Sequence, residues 1–243
     1  MSCRVDLSKC KRVVIPSTYK HPWSKGVRGD GHAPLLEEFV VSEDNPQYIS
    51  IGGHFYDRDG TLLTYAPAAQ NKGILPEETT KIAEDAFSLL PEPFEKLYIP
   101  ATLKAFEPRQ WDGFFYEADV SPDNHTYKAI DGSIFTADEK TLVYAKVSED
   151  GYRVPDGVEI FSKGALAAVS GTVCIPASVT KIENEYGLGR EITTIRTPKG
   201  SYAEQYAKDH NIRAELTVGG EVVEKWDPPK PEYSFTPTND IPW

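Results

Sequence analysis

The sequence predicts a β-solenoid: short strands stacked in coils, with a parallel sheet on one face, inserted β-hairpins and a C-terminal helix-plus-hairpin cap. Three observations lead there. The first is a phrase of β-branched strand, proline, turn and apolar pair. It occurs as TVCIPASVTKIE (172–183), FEKLYIPATLKAF (94–106), GILPEETTKIAEDAF (73–87) and GYRVPDGVEIFSKGAL (151–166), with weaker copies VVIPSTY (13–19) and TIRTPKGS (194–201). One such coil cannot bury its own apolar side, so recurrence at about twenty residues marks stacked repeats.

The second observation is the spacing. Strand centres fall near 14, 40, 75, 98, 118, 153, 174 and 195, about eight coils in all. Gaps of 35, 23 and 20 span 78 residues, and gaps of 35, 21 and 21 span 77, so the coils sit inside a larger duplication, 36–117 and 118–196. The third observation is direct similarity between the halves. NPQYISIGGHFYDRDGTLLTYA (45–66) lies without gaps over NHTYKAIDGSIFTADEKTLVYA (124–145), with 8 identities in 22 positions, Tyr48 with Tyr127, Gly53 with Gly132 and Tyr65 with Tyr144 among them.

Each element then has its reason. The strand before a proline becomes a rung of the parallel sheet, and proline ends it because it cannot donate to the ladder. The apolar pair that follows returns the chain across the core, in places as a short helix such as 80–87. In the long coils, residues 134–145 and their partner around Asp59-Gly60 read as hairpins with polar turns. Ser201 with Glu204 forms a capping box before a helix over 201–210, on which Tyr202 and Tyr206, and Ala203 and Ala207, recur at helical spacing. Gly219-Gly220 turns a hairpin within 213–226, which we read as the cap on a solenoid of residues 1–212. Residues 20–35 read as an irregular loop, and 227–243, with five prolines, as an extended tail.

Bulk composition excludes several functions. Lys and Arg number 26 against 37 acidic residues, a net charge of −11 with no basic stripe, which argues against nucleic acid as partner. No apolar run is long enough for a membrane-spanning helix, and MSCRVDLSKCKRVVIP has no apolar signal-peptide core. The three cysteines, Cys3, Cys10 and Cys174, make no disulfide framework, although Cys3 and Cys10 are spaced to pair.

The phrases IPASVTKIE, VPDGVEIFSKGAL, YKAIDGSIFTADEKTLVYA and TPKGSYAEQYAKDHNI resemble the BspA-like leucine-rich-repeat family of bacteria and some protists, over about residues 36–212. That resemblance implies a right-handed leucine-rich-repeat solenoid. It also implies a secreted or surface protein that binds other macromolecules, host matrix proteins in some members, without catalytic residues or cofactors. The sequence departs from the family's pattern at Glu107-Pro108-Arg109-Gln110-Trp111 and at Glu185-Tyr186-Gly187.

Motifs that suggest chemistry are weak. Asp57-Arg58-Asp59-Gly60-Thr61 has the letters of an aspartyl phosphotransferase nucleophile, which would make the protein a Mg²⁺-dependent enzyme. Gly52-Gly53-His54 is a poor buried strand before it, and the second copy has Thr136 in place of Asp57, so a hairpin turn is expected. Arg28-Gly29-Asp30 reads as a solvated turn, the five histidines show no metal spacing, and Asn124-His125-Thr126 matches a glycosylation sequon. No catalytic residue and no metal site is assigned.

The sheet face offers a site with geometry behind it. Residues just before each proline, Leu75, Ile99, Val154 and Ile175, point inward, so the preceding residues form an outward row: Val14, Val40, Ile74, Tyr98, Asp119, Arg153, Cys174 and Arg196. Ile74, Tyr98, Asp119, Arg153 and Arg196 are the candidate ligand-binding residues. The expected function is non-enzymatic binding of a protein partner through this face or the hairpins, with structural self-assembly as the alternative.

Overall fold

The computed structural model describes residues 6–20, 32–106, 114–183, 188 and 191–229. The chain opens with β1 (Arg12–Ile15) and β2 (Glu38–Val41), paired in parallel. A meander of β3 (Tyr48–Ile51), β4 (His54–Asp57) and β5 (Thr61–Thr64) follows, then β6 (Lys81–Ile82), β7 (Phe94–Ile99), β8 (Ala105–Phe106) and β9 (Phe115–Val120). A second meander of β10 (Tyr127–Ile130), β11 (Ser133–Thr136) and β12 (Thr141–Tyr144) repeats the first. Next come β13 (Tyr152–Arg153), β14 (Ile160–Phe161), β15 (Gly171–Cys174), β16 (Lys181–Ile182) and β17 (Ile192–Pro198). Helix α1 (Tyr202–Asp209) and the hairpin β18 (Arg213–Val218) and β19 (Glu221–Trp226) complete it. The eight rung positions enclose about seven turns of a β-solenoid.

Two ladders run along the stack. The first carries the rungs read from sequence: β1 with β2, Ile74 with β7 and β9, and β13 with β15, β17 and β18, all parallel. The second has no counterpart in the sequence reading. The apolar pair after each corner makes a two-residue strand, so β5, β6 and β8 pair in parallel, as do β12, β14 and β16. Leu62, Ile82 and Phe106, and then Leu142, Phe161 and Ile182, stand inward along it and are buried. Between the ladders the interior is filled by aromatic and branched side chains, among them Phe94 and Phe115 opposite one another and the fully buried Tyr65 and Tyr144.

The second ladder overturns one expectation. Residues 80–87 are not a helix: the amides of Thr80 and Ala83 donate to Gly60 and Leu62 of the preceding coil at 2.8 and 2.9 Å. Those inter-coil bonds take the groups that a helix would use internally, and successive turns close afterwards from Ala86 to Ala83, Ser88 to Asp85 and Leu90 to Phe87. Helix α1 does form. Ser201 accepts the Glu204 amide at 3.2 Å, and the Glu204 carboxylate returns to the Gly200 amide at 2.6 Å. Ala203, Tyr206 and Ala207 face the core.

Each corner after a rung is one turn with a bond from residue i+3 to i. The amides of Tyr19, Thr79, Leu103, Val158 and Val179 donate to Pro16, Pro76, Pro100, Pro155 and Pro176. Two coils lack the proline and have Ser42 and Ser121 instead. There an asparagine ties the corner to its neighbour. Asn45 is fully buried: its Nδ2 donates to the Pro16 and Tyr19 carbonyls at 2.8 and 3.2 Å, and its Oδ1 accepts from the Gln47 and Tyr48 amides. Asn124 repeats all four bonds, to Pro100 and Leu103 and from Thr126 and Tyr127. A side chain saturated in this way is unavailable as a glycosylation acceptor.

The meanders hold two further findings. Besides the hairpins expected at Asp59-Gly60 and over 134–145, each meander opens with a second hairpin, β3–β4 and β10–β11, turning on Gly52-Gly53 and Asp131-Gly132. Both turn residues have positive φ, 59° and 83° in one and 47° and 76° in the other, a conformation that glycine adopts without strain and aspartate tolerates. The gapless overlay of the two copies also slips by one residue. Tyr56 lies opposite Leu62 where Phe135 lies opposite Leu142, so Leu62 matches Leu142 and Thr64 matches Tyr144. The turn after β11 holds one residue more, with Glu139 at φ 61°, and Tyr65 and Tyr144 are not equivalent.

Cys3, Arg28-Gly29-Asp30, residues 107–111 and 185–187 and the tail beyond 229 fall outside the described residues. The asparagines generate a prediction. Asn124→Ala removes four bonds and strands two buried carbonyls, so urea unfolding should show a loss of roughly 2–4 kcal/mol. Asn45→Ala should cost the same within about 1 kcal/mol.

Candidate functional site

The outward row is built by the first ladder. Rung partners place Val14 beside Val40, Ile74 beside Tyr98 beside Asp119, and Arg153 beside Cys174 beside Arg196, so the alignment made from sequence is the register of the strands. Leu75, Ile99, Val154 and Ile175 are buried beneath it. The row is not continuous. The Gly53 carbonyl accepts the Phe39 amide at 2.8 Å, and the Gly132 carbonyl accepts the Ala118 amide at 2.8 Å. Each meander therefore sets its first hairpin tip beside a rung, against β2 and β9, and Asp119 is not brought next to Arg153. The second tip is pinned by Lys146, which reaches Asp131 at 2.8 Å, and by the Tyr152 hydroxyl, which meets Ser133 at 2.9 Å.

Charges on this face are mostly paired across strands. Arg12 meets Glu38 at 2.6 Å and Lys96 meets Glu117 at 3.6 Å. Arg196 is also committed: its Nε and Nη2 both reach Glu215 at 2.8 and 2.5 Å, and Lys225 holds the other oxygen at 2.9 Å. Bonds from Lys225 and Arg196 hold the Glu215 carboxyl below the usual glutamate range. Sequence reasoning missed Glu215 because the ladder was ended at residue 196. It lies 19 residues beyond Arg196, one more coil spacing. Among the described residues Asp119 and Arg153 have no ionic partner, while Ile74 is 52 % exposed and Tyr98 half-buried. Cys174 is half-buried between the two arginines as a free thiol.

The aspartate-rich turn is closed by its own first side chain. Asp57 Oδ1 accepts the amides of Asp59 and Thr61 at 3.0 and 2.7 Å, closing the turn between β4 and β5. In the second copy the Thr136 hydroxyl accepts the Thr141 amide at 3.0 Å in the same role. Among the described residues no three His, Cys, Asp or Glu side chains are grouped to hold a metal ion.

A second exchange of this kind involves His54, the strongly shifted histidine among the described residues. His54 is 1 % exposed, stacks on Tyr65 with ring centroids 4.0 Å apart, and accepts the Ala66 amide on Nδ1 at 3.1 Å. Ser133 in the second copy accepts the Lys146 amide at 3.0 Å. Burial pushes the His54 pKa down to about 4, and an imidazole accepting an amide on Nδ1 is held neutral.

No family model matches the chain, and no curated protein matches it. Three solved structures are similar to it. A leucine-rich cell surface protein from Faecalibacterium prausnitzii is 15% identical, with a TM-score of 0.38 over 77% of this chain and 72% of its own. A leucine-rich repeat protein from Eubacterium ventriosum is 13% identical, with a TM-score of 0.37 over 76% of this chain and 50% of its own. The pneumococcal vaccine antigen PcpA is 15% identical, with a TM-score of 0.40 over 85% and 54%. The chain spans about half the length of the last two. The solenoid assignment rests on the strand pairing of the chain itself.

Two outcomes are expected. The unfolded chain binds a proton on His54 below pH 6.5 that the folded chain refuses until about pH 4, so stability is full at pH 7 and falls as pH drops through that window. The His54 share of that loss is about 3 kcal/mol by pH 4, and the difference between wild type and His54→Asn in urea unfolding at the two pH values should reveal it. In the aspartate turn, Asp57→Thr should leave stability within about 0.5 kcal/mol, whereas Asp57→Ala should cost about 1 kcal/mol. Phosphatase activity in wild type that Asp57→Asn abolishes would overturn the turn assignment.

Proposed function

We propose that the protein is a non-enzymatic binding solenoid whose outward row contacts a protein partner at Ile74, Tyr98 and Asp119, with Arg153 on the far side of the hairpin tip. One observation carries the reading. An isoleucine 52 % exposed stands beside a tyrosine and an ionically unpaired aspartate, in a sheet whose next row is occupied by the ion pair of Lys96 and Glu117. Leaving a branched side chain in water forgoes about 1–2 kcal/mol of burial. An aromatic side chain with an unpaired charge at its edge is the composition of a binding hot spot with its polar rim. The partner that suits this row presents an apolar side chain to Ile74 and Tyr98 and a lysine or arginine to Asp119. Arg196, bound to Glu215, contributes less than Arg153.

The test is surface plasmon resonance against a panel of purified extracellular-matrix and host-cell-surface proteins. Wild type should bind at least one of them, and Ile74→Asp, Tyr98→Ala and Asp119→Lys should each weaken that complex about tenfold or more without changing the melting temperature. Binding that survives all three substitutions would move the site off the row. Absence of any complex across the panel would set aside the matrix-binding reading.

A further inference from the structure

The first ladder ends at both extremities in an edge strand. Among the described residues β1 pairs only with β2, and β19 pairs only with β18. Such an edge carries unmet backbone donors and acceptors, and folded proteins blunt it or use it. Among the described residues, four of the eight exposed large apolar side chains lie on the strands at the two ends. Val14 is 66 % exposed on β1, and Val222 and Val223 on β19 are 40 % and 56 % exposed, with Val218 at 60 % on the neighbouring strand.

The ends differ in charge. β1 begins at Arg12, preceded by Lys9 and Lys11, whereas β19 carries Glu221 and Glu224. Paired antiparallel on their valines, two β1 edges would set Arg12 against Ile15 and gain no ion pair, and two β19 edges would set Glu221 against Glu224. Neither symmetric dimer gains an ion pair, so charge favours β1 of one molecule against β19 of another. β19 is antiparallel to β18, while the rungs before it are parallel. A second molecule placed further along the same axis therefore offers its β1 antiparallel to β19, as β18 already is.

From these observations we propose that copies of this chain associate head to tail, the acidic β19 edge of one docking on the basic β1 edge of the next. In the register that sets Val222 and Val223 against Val14 and Val13, Glu224 falls opposite Arg12. Lys225 and Lys11 also meet there, and each already holds a carboxylate, Glu215 and Glu37. Arg12 and Glu224 have partners within the molecule, Glu38 and Lys199, but those pairs are exposed and readily exchanged. The contact is heterologous, so it extends into an open filament. The unpaired residue on β19 at its register shift against β18 and the shortness of β1 keep each joint weak.

Sedimentation velocity of the full chain from micromolar to several hundred micromolar, at low salt, tests the proposal. Wild type should show open-ended growth with concentration, reduced at high salt. Arg12→Glu and Glu224→Lys should each weaken association about tenfold while retaining the wild-type circular dichroism melt. An equimolar mixture of the two variants should assemble again, because each joint then pairs Arg12 with Glu224 or the two reversed charges. A wild-type chain that stays monomeric throughout would overturn the proposal. So would variants that assemble like wild type, or a mixture no better than its components.

Discussion

No coil of this chain can satisfy its own backbone, and that constraint organises the molecule. Rungs of two to seven residues have no internal hydrogen bonds, so each amide on a ladder must find a carbonyl in the coil before or after it. Once coil spacing sets which residues meet, the corners must all turn at the same height. Proline achieves this in most coils by ending the rung. Where the coil begins with serine instead, Asn45 and Asn124 perform the task by reaching back to the previous corner's carbonyls while holding the next turn's amides. These two corners open the two long coils. The entropic freedom of the extra residues is greatest there, so the corner most in need of fixing is the one with the most bonds.

What the sequence revealed follows from which signals are local. The rungs, their register across coils and helix α1 were all legible, because proline position, alternation and the Ser201–Glu204 cap act within a few residues. The second ladder was not. Its strands are two residues long, as in Lys81–Ile82, and two residues carry no periodicity. The apolar run at 80–87 therefore resembled a helix, a preference that inter-coil bonding overrides. The hairpin at Asp131-Gly132 did have a signal, a two-residue turn between apolar positions, which the stronger repeat pattern overshadowed. The one-residue slip after β11 was beyond reach because Leu63 and Leu142, and Tyr65 and Tyr144, are identical pairs in the wrong register.

The duplication also separates what is architectural from what is free to change. Asp57 and Thr136 close the same turn, and His54 and Ser133 receive the same kind of amide. In each pair the atom that accepts the bond is retained while its chemistry differs: carboxylate for hydroxyl, imidazole for hydroxyl. The turn closes equally on either acceptor. The phosphotransferase-like letters around Asp57 are thus accounted for by a local need for an acceptor.

Geometry divides the outward face in a way that bears on any partner. The hairpin tips at Gly53 and Gly132 meet β2 and β9, so the row is split into Val14–Val40, Ile74–Tyr98–Asp119 and Arg153–Cys174–Arg196. Neighbouring strands lie about 4.8 Å apart, so the middle patch spans only about 10 Å. The last patch runs into the Glu215–Lys225 network, which fills its charges from within. An extended partner lying across all eight rungs would have to cross two hairpin tips. The middle patch suits a single side-chain cluster, and the two ladder ends, with their exposed valines and opposite charges, offer the longer surfaces. The proposed recognition patch and the proposed assembly edges thus fall on different parts of the first ladder.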